Sequence, residues 1–331
     1  MSTETLTHWL SLRAYGVITR TLFGPRTHPK VMRRRFERFG ATSRRRLLAR
    51  HPGLVFAEHA VGSLRMESIH AGSPERAVLY LHGGAFVMGS PASYRSRAAR
   101  MAYRCRAELF VPDYRLAPEH PFPAALEEAV AAWRQLRMLR PGWPLFVAGD
   151  SAGGGLALSL MIRLRDLGEP LPDGAVLVSP SVDLAEPGGR GEESGTDLWL
   201  TRQHLHRWFR HYIGQADPAQ PLVSPIQANL SGLPPFLLLA GADELLLEEG
   251  RRMVDRALSA GIDAQLLVGQ GMQHDWPLTL PWLPESRHAW KVIAGFLDEH
   301  ASQSWRPAAP AWNGASSPRA RTHALSEGAR S

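Results

Sequence analysis

A sharp turn around Ser151 constrains the fold more than any other feature of this sequence. The pentapeptide Gly149-Asp150-Ser151-Ala152-Gly153 separates a short apolar run, residues 145–148, from a helix-periodic segment, residues 156–167. Glycines fit beside the serine because a tight turn from strand to helix leaves no room for neighbouring Cβ atoms. This G-x-S-x-G pattern predicts a strand, a turn and a helix that present the serine as a nucleophile. A plain turn with a helix-capping serine matches the same five residues, so the rest of the chain has to decide.

Composition narrows the class of protein. The chain has 331 residues, of which 44% are hydrophobic and 21% are charged, as in globular proteins. Its single cysteine, Cys105, excludes an intrachain disulfide, and we expect it to pack as a small hydrophobic residue. No run reaches about 18 uncharged apolar residues, and the N-terminus lacks the features of a signal peptide, so a cytoplasmic location is expected.

Positive charge is concentrated at the ends of the chain. Residues 1–50 contain 12 basic and 2 acidic residues, whereas the net charge of the whole chain is +7. A basic end can bind nucleic acid or an anionic membrane surface, but the sequence has no zinc-ligand spacing, helix-turn-helix or RNA-binding motif. We therefore expect no nucleic-acid partner, a solvated basic face, and at most a weak membrane-surface contact through residues 1–50.

Short strands alternate with helices along most of the chain. Eight strands are predicted, at residues 55–61, 64–69, 77–81, 109–112, 145–148, 175–179, 236–240 and 264–269. This alternation predicts an α/β fold with a mostly parallel central sheet and helices on both faces. The predicted parts are an N-terminal helical segment (1–54), with helices at 3–23 and 30–50, an α/β domain (55–301) with an insertion at about 183–215, and a disordered tail (302–331).

Two further residues complete a candidate catalytic set with Ser151. A serine hydroxyl is a weak nucleophile that needs a base, and the base needs a group that orients it. Asp243 follows the strand predicted at 236–240, and His274 follows the strand predicted at 264–269, so both lie at the same sheet edge as Ser151. In this arrangement His274 takes the serine proton, and Asp243 orients the imidazole and stabilises its charged form.

Other acids lie close to this set in the sequence. Glu244 follows Asp243, and Asp275 follows His274. Because adjacent side chains usually point apart, we prefer Asp243 to Glu244. Asp150 lies inside the turn, where its side chain is expected to support the turn.

A second glycine-rich segment is placed to stabilise a negative charge. The tetrahedral intermediate of acyl transfer carries an oxyanion that needs preorganised N–H donors. His82-Gly83-Gly84 follows the strand predicted at 77–81, and glycine lets the backbone approach a substrate closely. The N–H of Ala152, at the start of the helix after the turn, completes the predicted oxyanion hole.

Several motifs in one order identify a resemblance. The motifs are His82-Gly83-Gly84-Ala85, Asp113-Tyr114-Arg115-Leu116-Ala117-Pro118-Glu119, Phe122-Pro123-Ala124-Ala125 and Gly149-Asp150-Ser151-Ala152-Gly153-Gly154. Through them, residues 55–300 resemble the hormone-sensitive-lipase-like family of α/β-hydrolase esterases. Residues 221–225, 233–235 and 243–247 are similar to the bacterial branch that includes acetyl-hydrolases and monoterpene ε-lactone hydrolases.

This resemblance implies an α/β-hydrolase fold with a helical cap over the nucleophile, formed by the N-terminal helices and residues 183–215. It implies hydrolysis of carboxylic esters without a cofactor or metal. The implied site residues are the triad Ser151, Asp243 and His274, the oxyanion hole of Gly83, Gly84 and Ala152, and the supporting His82 and Asp150.

Ala85 replaces a third glycine of the family pattern. It would be strained only at a positive φ, which we do not expect.

The predicted function is hydrolysis of small, apolar esters through an acyl-enzyme on Ser151. Two alternatives stay open: a lactone hydrolase that uses the same triad, and a non-catalytic ligand-binding protein on the same fold. A membrane or partner adaptor role for residues 1–50 is a further alternative. The expected partner is a small ester or lactone, and a homodimer is among the expected assemblies.

Overall fold

The structure covers most of the chain. The computed structural model describes Arg13, Gly16, Gly24 and residues 27–189 and 197–301. Most of the helix predicted at residues 3–23, all of the tail predicted at 302–331 and part of the predicted insertion therefore lie outside the described residues. Within the described ranges, no helix is long and apolar enough to cross a membrane.

A central sheet of eight strands organises the described part of the chain. The strands are β1 (Leu54–Val61), β2 (Leu64–Ala71), β3 (Arg76–Leu81), β4 (Ala107–Pro112), β5 (Leu145–Asp150), β6 (Gly174–Val178), β7 (Phe236–Gly241) and β8 (Ala264–Gly269). They lie side by side in the order β1-β2-β4-β3-β5-β6-β7-β8. The β1–β2 and β2–β4 pairs are antiparallel, and the remaining pairs are parallel.

Helices cover both faces of this sheet. The described helices are α1 (Pro29–Gly40), α2 (Arg44–Arg50), α3 (Pro91–Cys105), α4 (Ala124–Leu139), α5 (Ala152–Asp166), α6 (Arg202–Ile213), α7 (Leu247–Ser259), α8 (Trp276–Thr279) and α9 (Pro284–Glu299). Side chains of α4, α5 and α7 share one core with the sheet, and those of α3 and α9 share a second core with the opposite face. This confirms the predicted α/β fold with a mostly parallel sheet.

The central strands read as continuous apolar runs because both of their faces are covered. All six residues of β3 are buried. Ala77, Leu79 and Leu81 enter the core on one face, and Val78 and Tyr80 enter the core on the other, as the two-residue period of a strand requires. The apolar content of these strands therefore follows from their position in the middle of the sheet.

Two local features differ from the sequence prediction. The stretch 30–50 forms two helices and not one, because Ala41 adopts an extended conformation that ends α1. Ser43 then caps α2, and its side chain accepts a hydrogen bond from the N–H of Arg46. The helix α8 was not predicted, since four residues are too few for a periodic pattern.

Cys105 is buried as expected, and burial raises the pKa of its thiol to about 12.

Parallel strands end at one edge of the sheet, and their loops carry the candidate site. Gly83 follows β3, Ser151 follows β5, Ser179 follows β6, Glu244 follows β7 and His274 follows β8. Residues that lie far apart in the chain are thus brought to one edge by the parallel order of the strands. The sheet positions the site before any side-chain contact is considered.

Candidate functional site

Ser151 occupies a strained turn at the junction of β5 and α5. Its φ of 51° and ψ of −121° lie outside the regions that L-residues normally adopt. Its N–H donates to the carbonyl of Val178 at 2.8 Å, and its own carbonyl accepts from the N–H of Ser181 at 3.0 Å. A Cβ at Gly153 would collide with the carbonyl oxygen of Leu81, so glycine lets α5 begin directly against β3.

His274 lies in the loop between β8 and α8 and lines the same pocket as Ser151. The imidazole is buried, with Nδ1 3.9 Å from Oε2 of Glu244 and Nε2 3.4 Å from Oδ2 of Asp275. Trp199 packs edge-on against it, with ring centroids 5.0 Å apart. The structure thus brings Ser151 and His274 into one pocket and places a buried glutamate against the imidazole.

The structure places the carboxyl of Glu244 beside the imidazole, whereas the sequence analysis preferred Asp243. Among the described residues, the carboxylates within 4.0 Å of the His274 ring nitrogens are those of Glu244 and Asp275. Asp243 is half-buried, and its backbone N–H donates to the carbonyl of Met272 at 3.1 Å. The loop after β7 therefore turns the side chain of position 244 inward, where it is fully buried.

A residue that the sequence analysis missed, Ser179, connects the acid to the histidine loop. Ser179 follows β6 with a φ of 45°. Its Oγ donates to Oε2 of Glu244 at 2.7 Å and accepts from the N–H of Asp275 at 3.0 Å. Its position at the carboxyl end of a buried strand could have identified it from the sequence, because the same reasoning selected Asp243 and His274.

Burial sets the protonation of the imidazole and its acid. It lowers the pKa of His274 to about 3, because a desolvated site disfavours the charged imidazolium. At neutral pH the ring is therefore the neutral proton acceptor that general-base catalysis needs. Burial raises the pKa of Glu244 to about 8, and the hydrogen bond from Ser179 opposes this rise. A proton on His274 would favour the ionised Glu244, since opposite charges at this distance stabilise each other.

The N–H of Gly83 is not free to act as an oxyanion donor, contrary to the prediction. It donates to Oδ1 of Asp150 at 3.0 Å in a buried environment. The next two residues, Gly84 and Ala85, line the pocket together with Ser151. Ala152 is the first residue of α5, so its N–H has no acceptor within the helix. The residues of the loop after β3 that line the pocket therefore begin at Gly84.

Ala85 adopts a φ of 53°, so the expectation that alanine is unstrained there is wrong. It stands between Gly84 and Phe86, which have φ values of 114° and 60°. For a residue with a Cβ, a left-handed conformation costs roughly 1–2 kcal/mol. The ring of Phe86 stacks on Tyr212 of α6, with centroids 3.7 Å apart, and this contact holds the loop against the insertion.

His82 and Asp150 support the glycine loop. His82 is fully buried and stacks on Tyr114, with centroids 4.2 Å apart, and burial lowers its pKa to about 4. Its Nδ1 lies 2.9 Å from the carbonyl oxygen of the next residue. Asp150 accepts from the hydroxyl groups of Tyr80 and Tyr94, each at 2.7 Å. Both side chains therefore hold the loop and the end of β5 rather than line the pocket.

A pocket of about 210 Å³ opens over Ser151 and His274. Its apolar walls come from α1 and from the insertion, through Phe36, Phe39, Trp199, Leu200, Leu205 and Trp208. Ligand pockets usually enclose about 300–1,000 Å³, so this one is small.

The segment 197–200 of the insertion is attached to both catalytic loops. The buried carboxylate of Asp197 accepts from the N–H of Trp199 and from the N–H of Leu245, each at 2.8 Å. The side-chain oxygen of Gln273 accepts from the N–H of Leu198 at 2.7 Å. One wall of the pocket is therefore hydrogen-bonded to the loops that carry the acid and the imidazole.

Comparison with known proteins agrees with this fold. The family described as alpha/beta hydrolase fold matches residues 78–278. The chain is 41% identical over 226 residues to an acetyl-hydrolase of Streptomyces hygroscopicus, which covers 67% of this chain and 75% of that protein. It is 31% identical over 256 residues to an esterase of Acinetobacter venetianus, covering 76% and 84%. A crystal structure of an esterase from the bacterial hormone-sensitive lipase family superposes with a TM-score of 0.77 at 34% identity, over 91% of this chain and 99% of that chain.

The fold and its site define the class of protein, an enzyme of the α/β-hydrolase fold. Within that class, the chain belongs to the hormone-sensitive-lipase-like family of bacterial esterases. The resemblance inferred from the sequence motifs is thereby confirmed, together with the prediction of an enzyme of the esterase class.

The substitution Ala85→Gly tests the strain in the glycine loop. Glycine accepts a positive φ freely but loses about 0.5–1 kcal/mol through its greater freedom in the unfolded chain. Relief of roughly 1–2 kcal/mol of strain leaves an expected gain of about 0–1.5 kcal/mol in the free energy of unfolding, measured by urea denaturation. The control Ala131→Gly, inside α4, should lose about 0.5–1 kcal/mol. Equal losses in the two variants would show that position 85 is not strained.

Proposed function

We propose that this enzyme is a serine carboxylesterase that hydrolyses small, apolar esters through an acyl-enzyme on Ser151. The observation that carries the proposal is the placement of a strained serine and a buried, neutral imidazole in one small apolar pocket. The relative named acetyl-hydrolase, at 41% identity, supports a short acyl group.

The proposed reaction has two halves with one base. As Oγ of Ser151 attacks the ester carbonyl, Nε2 of His274 takes its proton. The bond to the alcohol then breaks, and the imidazolium returns the proton to the leaving oxygen. In the second half, His274 removes a proton from water, whose oxygen attacks the carbonyl of the acyl-enzyme. As the bond between the acyl group and Oγ breaks, the imidazolium returns this proton to Ser151 and the acid leaves.

Glu244 is the proposed third member of the triad, in place of Asp243. Its carboxylate is fixed by the hydroxyl of Ser179 and lies 3.9 Å from Nδ1 of the imidazole. Catalytic hydrogen bonds are often this long until substrate binds. As the ring gains a proton during acylation, the attraction between imidazolium and carboxylate shortens and strengthens this contact.

The proposed oxyanion hole consists of the N–H groups of Gly84, Ala85 and Ala152. The first two lie on the left-handed turn that lines the pocket. The third begins α5, a helix of 15 residues whose N-terminus carries a partial positive charge. Because backbone donors of this kind are fixed before the reaction, each stabilises the developing charge without rearrangement.

The substitution Ser151→Ala removes the proposed nucleophile. Hydrolysis of p-nitrophenyl acetate should fall by about 10⁴–10⁶-fold, while the circular dichroism spectrum stays unchanged. Ser259→Ala, on the exposed end of α7, should keep full activity. In the wild type, a fluorophosphonate probe should label the peptide that contains Ser151. Unchanged turnover in Ser151→Ala would reject the proposal, and an unlabelled wild-type serine would favour a non-catalytic ligand-binding protein.

A pair of neighbouring substitutions identifies the triad acid. Glu244→Gln should lower kcat for p-nitrophenyl acetate by about 10³–10⁴-fold, because the imidazole loses the group that orients it and stabilises its charge. Asp243→Asn, its matched control, should change kcat by less than about threefold. Thermal unfolding of both variants shows that each is folded. The reverse order of activities would restore Asp243 as the acid.

The size of the pocket predicts a preference for short acyl chains. Along a series of p-nitrophenyl esters from acetate to octanoate, kcat/KM should be highest for the short chains and fall for octanoate. Trp208→Leu, which opens one wall, should raise the octanoate-to-acetate ratio of kcat/KM by about tenfold. Trp282→Leu, exposed and outside the pocket, should leave the ratio unchanged. A preference for octanoate in the wild type would contradict the assignment.

A further inference from the structure

Two helices that line the pocket, α1 and α6, carry positive charge with almost no negative charge. Their contribution to the pocket walls comes from Phe36, Phe39, Leu205 and Trp208. Together the two helices contain eight lysine and arginine residues and one acidic residue. Residues 51–301 as a whole contain 22 basic and 28 acidic residues. The positive charge beside the pocket is therefore a local feature, and no step of the proposed reaction uses it.

The inner side of α1 attaches the helix to the rest of the protein. Met32 is fully buried, and Arg33 donates to the carbonyl of Ala117 at 2.6 Å. Glu37, the acidic residue of this helix, accepts from the hydroxyl of Ser90 at 2.8 Å. The carboxylate that could neutralise neighbouring cations on α1 is thus directed toward the start of α3.

The outer side of α1 carries a row of cations. Lys30, Arg34 and Arg38 are all exposed, and their spacing of four residues places them one above another along the helix. Among the residues that the structure describes, none of the three forms an ion pair within 4.0 Å. Like charges at this spacing repel each other, and Lys30 also lies in the first turn, where the helix dipole disfavours a cation. An anionic partner outside the molecule would relieve this repulsion.

The outer side of α6 adds to the same positive region. Arg207 and Arg210 are exposed. Burial lowers the pKa of His211, and the charges of Arg207, His28 and Arg210 lower it further. Because His28 directly precedes α1, this shared influence on one imidazole indicates that the two helices bring their charges close together. The pocket therefore opens beside a continuous basic surface.

Exposed apolar side chains accompany the cations of α1. Val31 is 37% exposed and Phe39 is 65% exposed, and their spacing places both on the row next to that of the cations. Cations and exposed apolar residues on one helix are typical of helices that lie in a membrane interface. A nucleic acid would bind the charges but would leave the two apolar side chains exposed. Since Phe39 also lines the pocket, a membrane bound at this surface lies next to the pocket mouth.

We propose that this surface binds the face of an anionic phospholipid membrane. We define the basic face as Lys30, Arg34, Arg38, Arg207 and Arg210. Its cations contact lipid phosphates, and Phe39 enters the boundary between the headgroups and the acyl chains. The mildly acidic remainder of the protein is repelled by the same membrane, so the electric field of the whole molecule orients the pocket mouth toward the lipid. An apolar ester dissolved in the bilayer then reaches Ser151 directly. This last step rests on the proposed function, whereas membrane binding does not.

Removal of the cations on α1 tests the contact. Wild-type protein should sediment with vesicles of phosphatidylcholine and phosphatidylglycerol at about 0.1 M NaCl, and this binding should be lost at about 0.5 M NaCl or with phosphatidylcholine alone. The triple variant Lys30→Gln, Arg34→Gln and Arg38→Gln should bind about 100-fold more weakly, because each cation near an anionic surface contributes about fivefold.

A second triple variant is the matched control. Arg104→Gln, Arg163→Gln and Lys291→Gln remove the same charge from exposed positions of α3, α5 and α9, outside the pocket lining. Binding to the anionic vesicles should fall by less than about threefold. Both triple variants should hydrolyse soluble p-nitrophenyl acetate within about twofold of wild type, which shows that they are folded. Sedimentation does not depend on turnover, so it gives an answer even if the proposed substrate class fails.

A fluorescent label tests the orientation on the membrane. Cys105 is buried, so a thiol-reactive nitrobenzoxadiazole dye should label an introduced cysteine selectively. On Phe39→Cys, the emission should shift to the blue when anionic vesicles are added, because the dye enters an apolar boundary. On Met138→Cys, at a 68% exposed position of α4, the emission should stay unchanged.

Three results would overturn the proposal. The first is no binding of the wild type to anionic vesicles, or equal binding of the two triple variants. The second is an equal shift of the dye emission at positions 39 and 138. The third is tighter binding to a short DNA duplex than to the vesicles at the same salt concentration, which would assign the basic face to nucleic acid.

Discussion

The carboxylate of Asp150 is the contact on which the rest of the site depends. It is buried at the end of β5 and binds donors from β3, α3 and the loop after β3. Without it, three buried donors would lose their acceptor, each at a cost of about 1–3 kcal/mol. The same contact engages the N–H of Gly83, and the residues of this loop that line the pocket begin at Gly84.

The sequence was sufficient to predict the fold and the placement of Ser151 and His274 at one edge of the sheet. Apolar runs of the right length predicted the strands, and the parallel order then placed Ser151 and His274 at one edge. The same reasoning preferred Asp243, whereas the structure places Glu244 beside the imidazole. That choice depends on how the backbone leaves β7, and the departure is set by the hydrogen bond of Asp243 to Met272, a residue of a different loop.

Other site features escaped prediction for a related reason. The occupied N–H of Gly83 depends on a carboxylate 67 positions away in the chain, and Ser179 acts through loops that follow two other strands. Local propensity and spacing describe what a segment can do by itself. They do not show which of its polar groups are already bound to a distant segment, and in this site those long-range contacts decide the roles.

The hydrogen bonds of Asp197 and Gln273 join the pocket wall to the catalytic loops, and this has a consequence for how such an enzyme can change. A wall that is bonded to the loops of the base and its acid cannot be replaced as an independent module. An exchange of residues 197–200 for a wider or more polar segment would also alter the support of the imidazole. Substrate range and turnover would then change together, and a new specificity would require compensating changes at the ends of β7 and β8.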